Sequence, residues 1–379
     1  MCQKNLLKLQ LEQNKTTKKM SEFIISLSSF LLMIFIMVTI HEWGHFFVAR
    51  LCGIKVDVFA IGFGKTLYSR FDSKGTEWKI NILPLGGYVK MFGDSGPASD
   101  ADVEKIQAMT EDEKKLSFFH KKLWQKALVV LAGPFMNYVL AFAVMVILLL
   151  FYGDKTLSTK VSMVEGGSVA ESAGIEIGDT IYSINGKHVG DMFAVREIIN
   201  QHRESKQLQI RANRDGAEKI FNVIPTVIQR PNGGNLMKIG IAGTEEIINY
   251  NLIGSLKQAA IKIYILNVLM VDGLVKLISG EGSKEDLGGP IKIAKITGEA
   301  AKNGMQSFLG LLILLSVNLG LINLLPVPGL DGGHLMYYLI NMVIGRPLPQ
   351  KIQTIGIRVG FILLISLMIF TTFNDILSI

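Results

Sequence analysis

FIISLSSFLLMIFIMVTIHEWGH, residues 23–45, decides how the rest of the chain is read. Its first eighteen residues, Phe23 to Ile40, carry no charge. At about 1.5 Å per residue they cover most of a hydrocarbon core about 30 Å thick. The same helix runs on into His41-Glu42-Trp43-Gly44-His45. Two imidazoles four residues apart lie on one face of a helix and can share one Zn²⁺, with Glu42 placed to take a proton from zinc-bound water. Zinc lowers the pKa of such water to about 7, and the carboxylate then passes the proton to a leaving amine. The plain alternative is a chance HExxH on a surface helix. The setting argues against it, because ionisable groups at the end of an apolar span are costly and usually functional.

Outward from this stretch, the 379 residues are 49% hydrophobic and rich in Gly. Uncharged runs recur at Ala127 to Phe151 and Phe308 to Leu325, with a shorter apolar core from Val359 to Phe373. The fold class expected is a polytopic α-helical membrane protein of about four transmembrane helices, with a membrane-associated β-rich loop and an inserted extracytoplasmic PDZ-like α/β domain. The net charge of +7 does not indicate nucleic acid, since the basic residues are dispersed without an aromatic-basic patch. Instead it tracks topology. Residues 49–126 carry thirteen Lys/Arg against ten acids, and Arg346, Lys351 and Arg358 follow the third span, so both loops are expected to face the cytoplasm. The basic tail Met1 to Lys19 opposes this unless Met20 is the true start. Cys2 and Cys52 fit neither a disulfide framework nor a CxxC site.

In order, the expected segments are a tail (1–22), a first span with HEWGH (23–48), a β-rich loop and polar linker (49–126), and a second span (127–152). A PDZ-like domain (155–248), an amphipathic extracytoplasmic segment (249–304), a third span (305–330), a cytoplasmic loop (331–354) and a fourth span (355–376) follow. Gly53 to Asp94 is strand-prone with a turn at Ser73-Lys74-Gly75, which predicts a hairpin or small curled sheet; pattern alone favours a structural loop packed on the membrane surface, with an exposed edge that accepts substrate as an added strand the alternative. Residues 94–117, with Asp100, Asp102, Glu104, Glu111, Asp112 and Glu113, read as a solvated helix or linker. His120 reads as interfacial. VEGGSVAESAGIEIGDTIYSINGKHV, from Val164, is similar to a PDZ domain, in which a backbone N–H nest receives a peptide C-terminus, and this places Gly166 and Gly167 as binding residues. His188 and His202 read as surface histidines. Ile263 to Val271 is too short to span, so the segment around it is expected to lie on the membrane face.

With that segment not crossing, the third span runs parallel to the first. It ends in Asn323-Leu-Leu-Pro-Val-Pro-Gly-Leu-Asp331-Gly-Gly-His334, where Pro326 and Pro328 stop the helix and impose an extended strap. Asp331 therefore reaches the leaflet of His41 and His45. Two His and one Asp leave a fourth tetrahedral position open, as a catalytic zinc requires. His334 reads as an interfacial or supporting residue.

HEWGH, GFGKTLY, GTEWKINILPLGGYVKM, AGPFMN, GGPIKIA and SVNLGLINLLPVPGLDGGH occur here in the order found in the site-2 protease family of intramembrane zinc metalloproteases, and from Phe23 onward the chain resembles its bacterial regulator-of-sigma-E protease branch. The resemblance implies one Zn²⁺ on His41, His45 and Asp331, Glu42 as catalytic base, and Asn323 contacting substrate backbone or stabilising the oxyanion. It also implies that the loop with Gly86, Gly87 and Tyr88 pairs with substrate. The implied partners are the bilayer and single-pass membrane substrates, such as anti-sigma factors trimmed outside or signal-peptide remnants, in the bacterial inner membrane. The competing reading is a silent PDZ scaffold with a structural metal; the intact Glu42 favours catalysis, since a structural site needs no base. Metal transport fits less well, because one closed site is not a relay through the spans.

Overall fold

The computed structural model describes residues 2–94, 106–201, 207–229, 235–280, 288–346 and 348–377, so Asp100, Asp102, Glu104 and His202 lie outside the described residues. The chain divides into two units, one formed by residues up to 148 with those from 256 onward, the other by 149–255.

The first unit is built on helices. α1 (Cys2–Leu51) is continuous through the apolar run and HEWGH, so the segment expected as a tail is helical from Cys2. α3 (Leu123–Tyr152), α8 (Met305–Asn323) and α10 (Gln350–Leu377) follow the other apolar runs, with the short α2 (Glu111–Leu116) before α3. Among the described residues, four helices are thus long and apolar enough to cross a membrane. A core shared by three of them joins Met33 and Met37 of α1, Ala141 and Val144 of α3, and Leu312 and Val317 of α8. The region expected as one amphipathic segment contains two helices, α6 (Leu252–Ile278) and α7 (Pro290–Lys302). α6 rests Ile263, Leu266 and Met270 against that core, and Tyr138 Oη donates to Asn267 Oδ1 at 2.7 Å. α7 crosses α1 where Gly298 has no side chain; a Cβ there would meet Ser26 Oγ at 2.1 Å. Asp375 of α10 caps α7 by accepting the N–H groups of Gly289 and Lys292.

After α8 the chain makes the strap that Pro326 and Pro328 dictate, because neither proline donates an N–H and each disfavours helix at the residue before it. The stretch expected as a loop from 331 is largely helical: α9 (Asp331–Ile344) starts at Asp331 and ends at Gly345 in the left-handed conformation. Apolar residues from Leu335 to Ile344 sustain that helix once the prolines are passed. The strap lies against glycines on both sides. A Cβ on Gly332 or Gly333 would meet the carbonyl oxygens of Leu325 or Val327 at 2.2 and 2.4 Å, and one on Gly360 would meet Pro328 O at 1.6 Å. Gly360→Ala is therefore expected to displace the strap that ends in Asp331. An overpacking cost of about 1–3 kcal/mol predicts a lower unfolding temperature together with reduced zinc content; a variant with unchanged values of both would remove the strap from the account of the site.

β1 (Val56–Phe71) and β2 (Glu77–Met91) form an antiparallel ribbon that bends back on itself. Glu77–Ile80 has partners in both Tyr68–Phe71 and Val58–Ile61, while Gly87–Lys90 pairs with Val58–Ile61. The expected curled sheet is thus the observed form, with the Gly87–Val89 segment at one border. Gly86 (φ 122°) makes the bend, where a Cβ would strike Phe63 at 2.4 Å. The turn is fastened to α1: Asp72 accepts from the backbone N–H groups of Lys74 and Thr76, from Trp78 Nε1 and from Arg50, near the end of the HEWGH helix.

The second unit contains a six-stranded sheet in the order β10 (Ile241–Ile248), β3 (Asp154–Val164), β4 (Thr180–Ile184), β6 (Leu208–Arg214), β7 (Ala217–Val223), with β5 (Lys187–His188) paired to β4. α4 (Val169–Ser172) and α5 (Met192–Gln201) complete it, beside the two-stranded β8 (Thr226–Gln229) and β9 (Asn235–Lys238). Its core includes Val161, Ile181, Ile184, Val195, Leu208 and Ile210. Asp179 of the Gly-Asp turn is buried and takes a bidentate bond from Arg214 (2.6 and 2.8 Å) plus the N–H of Glu176. Burial alone would raise its pKa, but these donors hold it below the ordinary carboxylate value. A folded-state pKa below the unfolded value of about 3.9 stabilises the unit above that pH, and the gain is lost as pH falls. Protection factors for amide exchange in β4 and β6 should fall between pH 5 and pH 3 in the parent, with a weaker dependence in Asp179→Asn.

Candidate metal centre

His41 and His45 occupy one face of α1, and Asp331 is brought to them by the strap. His41 Nε2 lies 3.2 Å from His45 Nε2 and 3.2 Å from Asp331 Oδ2, and His45 Nε2 lies 3.5 Å from Asp331 Oδ1. For metal–ligand bonds of about 2.0–2.1 Å the edges of a tetrahedron are about 3.3–3.4 Å, so the two imidazole nitrogens and the Asp331 carboxylate stand at spacings near those of a zinc site. Asp331 Oδ2 is buried without a hydrogen-bond partner, an acceptor aimed at other acceptors. Such an arrangement is stable around a cation. Among the described residues it is the one group of three His, Cys, Asp or Glu side chains within reach of a single ion. The position of Asp331 at the first turn of α9 also favours its ionised form, since the N-terminal helix end is positive.

Helix α3 holds the imidazoles from behind. His45 Nδ1 lies 2.8 Å from Val129 O and donates to it, which leaves Nε2 as the lone-pair nitrogen. Gly133 sits directly against both rings: a Cβ there would be 2.3 Å from His45 Nε2 and 2.9 Å from His41 Cε1. Asn137, fully buried, reaches His41 Nδ1 at 3.1 Å. None of these three was singled out from sequence as a site residue. The available signal was their spacing, 129, 133 and 137, which places them on one face of α3 within and beside AGPFMN. α1 can approach α3 this closely because Gly44 faces Ala132; a Cβ would meet Ala132 O at 2.3 Å.

In front of the group is a cavity of 860 Å³, lined by His41, Glu42, His45, Gly87, Tyr88 and Asp331 and extending past His334 and Tyr338. Gly87 lies over the catalytic candidate, where a Cβ would be 2.9 Å from Glu42 Cγ. Gly86 makes the bend beside it. Asn323 closes α8 and is not among the cavity-lining residues. Gly166 and Gly167 belong to the other unit, in the turn between β3 and α4, where the Gly167 N–H already donates to Glu171 Oε2 at 2.6 Å. His120 and His188 are exposed and lie outside the metal group.

Three side chains able to hold one ion, a carboxylate next to them and a cavity in front are the features of a metal-dependent hydrolase, here carried on membrane-length helices. The chain belongs to peptidase family M50, whose model matches residues 29–367. It is 36% identical to a protein of Rhizobium meliloti (strain 1021) named as an inferred zinc metalloprotease, over 93% of this chain and 96% of the relative. Metalloprotease MmpA of Caulobacter vibrioides shares 31% identity over 93% of this chain and 96% of its own length. The PDZ domain of the SdrC-like protein from Listeria monocytogenes aligns with 24% of this chain and 88% of its own at 17% identity and a TM-score of 0.19, a likeness too slight to carry an argument. The protein is a zinc metalloprotease, and the residues assembled here fit its metal.

Proposed function

We propose that this metalloprotease cuts single-pass membrane proteins within or beside their spanning segment, after an outer domain has been trimmed, and that His41, His45 and Asp331 hold the zinc while Glu42 is the catalytic base. The observation that carries the reading is the border segment Gly87–Val89, paired to β1 on one side and lining the same cavity as Glu42. A transmembrane helix hides its carbonyls in its own hydrogen bonds, so cleavage requires an extended segment. An unpaired strand edge supplies the donors and acceptors that such a segment loses on unwinding. Gly87 lets the added strand come close to the carboxylate, since no side chain intervenes.

When bound, zinc supplies Lewis acidity toward water and the scissile carbonyl. Glu42 accepts the proton of the attacking water and returns it to the departing amine, and His45, anchored through Val129 O, keeps its Nε2 turned toward the site. Asn323 is assigned to substrate-backbone contact along the approach from α8. The site is assigned to the cytoplasmic leaflet of a bacterial inner membrane, a reading that the basic loops support. The inserted unit then lies outside, as a PDZ-like filter that excludes untrimmed substrates.

The test is purified protein in vesicles with a single-pass reporter bearing Gly or Pro near the middle of its span. Cuts inside the apolar segment, abolished by 1,10-phenanthroline and restored by added zinc, are expected. Cleavage that survives chelation, or is confined to exposed loops far from the bilayer, would overturn the proposal.

A further inference from the structure

We propose that Asn137 is the positioning residue of the metal ligand His41, and that it acts as a hydrogen-bond acceptor through its amide oxygen. The inference rests on the reading of His41 as a zinc ligand. His41 Nε2 faces His45 and Asp331, so with the ion bound the proton of this imidazole resides on Nδ1. Nδ1 is 3.1 Å from the Asn137 amide. A protonated Nδ1 can only donate, and the group opposite it must accept. Amide oxygen and nitrogen are distinguished by their surroundings, and here the metal makes that choice: the oxygen, not Nδ2, turns toward the ring. The Asn137 amide oxygen is buried with no other partner, so turning it to His41 exchanges the Nδ2 contact for an Oδ1 acceptor and costs the oxygen nothing.

The residue is held for this task. Ser316 Oγ of α8, itself fully buried, donates to Asn137 O at 2.9 Å, and the neighbouring Tyr138 bonds to Asn267 of α6. Its backbone is thereby tied to α8, the helix that runs into the strap and Asp331. The two histidines thus receive different outer acceptors from one face of α3, a main-chain carbonyl for His45 and a side-chain amide for His41. Only the second can be changed by substitution.

Zinc affinity of the full-length protein, measured by chelator competition in detergent, separates the possibilities. Asn137→Leu keeps the bulk and removes the acceptor, and a loss of about 10–100-fold in zinc affinity is expected. Asn137→Asp is acceptor only, and is expected to bind zinc at least as well as the parent. Ser316→Ala, which loosens the backbone tie without touching His41, should stay within about threefold of the parent, well under the loss for an outer-ligand change. Retained affinity in Asn137→Leu, equal losses in the Leu and Asp variants, or an equal loss in Ser316→Ala would each overturn the acceptor role. His41→Ala identifies the deeper failure: if it too retains stoichiometric zinc, the assignment of the metal site falls, and not merely that of Asn137.

Discussion

Glu42→Gln is expected to lower cleavage of the reporter by about 10²–10⁴-fold, the usual worth of a general base, while the protein still carries one zinc per chain. The amide has the shape of the carboxylate and fits beneath Gly87, whose Cα side approaches Glu42 Cγ closely. It does not accept the proton that the attacking water must lose. The metal group is untouched, because its three atoms come from His41, His45 and Asp331. Cleavage by the variant at the parent rate would remove Glu42 from the chemistry. Loss of zinc together with activity would instead make Glu42 part of the metal's support, and the scaffold reading would then regain ground.

Gly133→Ala should have the second largest effect, and through a different route. The added methyl would stand 2.3 Å from His45 Nε2 and 2.5 Å from His45 Cε1, so one imidazole must leave its place. Helix α3 cannot retreat freely, since Gly44 and Ala132 are in close backbone contact. An overpacking penalty of about 1–3 kcal/mol corresponds to a roughly 5–150-fold loss in zinc affinity. Cleavage at limiting zinc should fall in parallel, and excess zinc should rescue it in part. The matching control is Gly310→Ala in α8, where a Cβ meets nothing within 4 Å; it should leave zinc content and activity unchanged. Equal behaviour of the two variants would show that the Gly133 contact does not govern the site.

Much of the site was legible because its information is local. HEWGH needs only helical periodicity to put His41 and His45 on one face, and eighteen uncharged residues before it are enough to call the helix. The strap was legible from two prolines, whose missing N–H groups act whatever surrounds them. Where sequence reasoning fell short, the deciding quantity was a distance between segments far apart in the chain. The loop expected after Asp331 is helix α9, in which Leu335 and Tyr338 pack on the cluster of Phe46, Ala49 and Val129, a partner surface that no local signal announced. The role of Gly167 was inferred from a turn motif, whereas the occupation of its N–H by Glu171 is a matter of side-chain geometry.

By itself, then, the sequence determined the long apolar helices, the paired histidines, the adjacent carboxylate and the break that delivers Asp331, all of them consequences of periodicity and backbone chemistry. Tertiary structure alone decided that α3 backs His41 and His45 with Val129 O, Gly133 and Asn137, and that β2 bends so that Gly87 covers Glu42. The reason is physical: these contacts join residues separated by forty to almost one hundred positions, and their energies depend on ångström-scale approach between helices, which one-dimensional pattern does not contain.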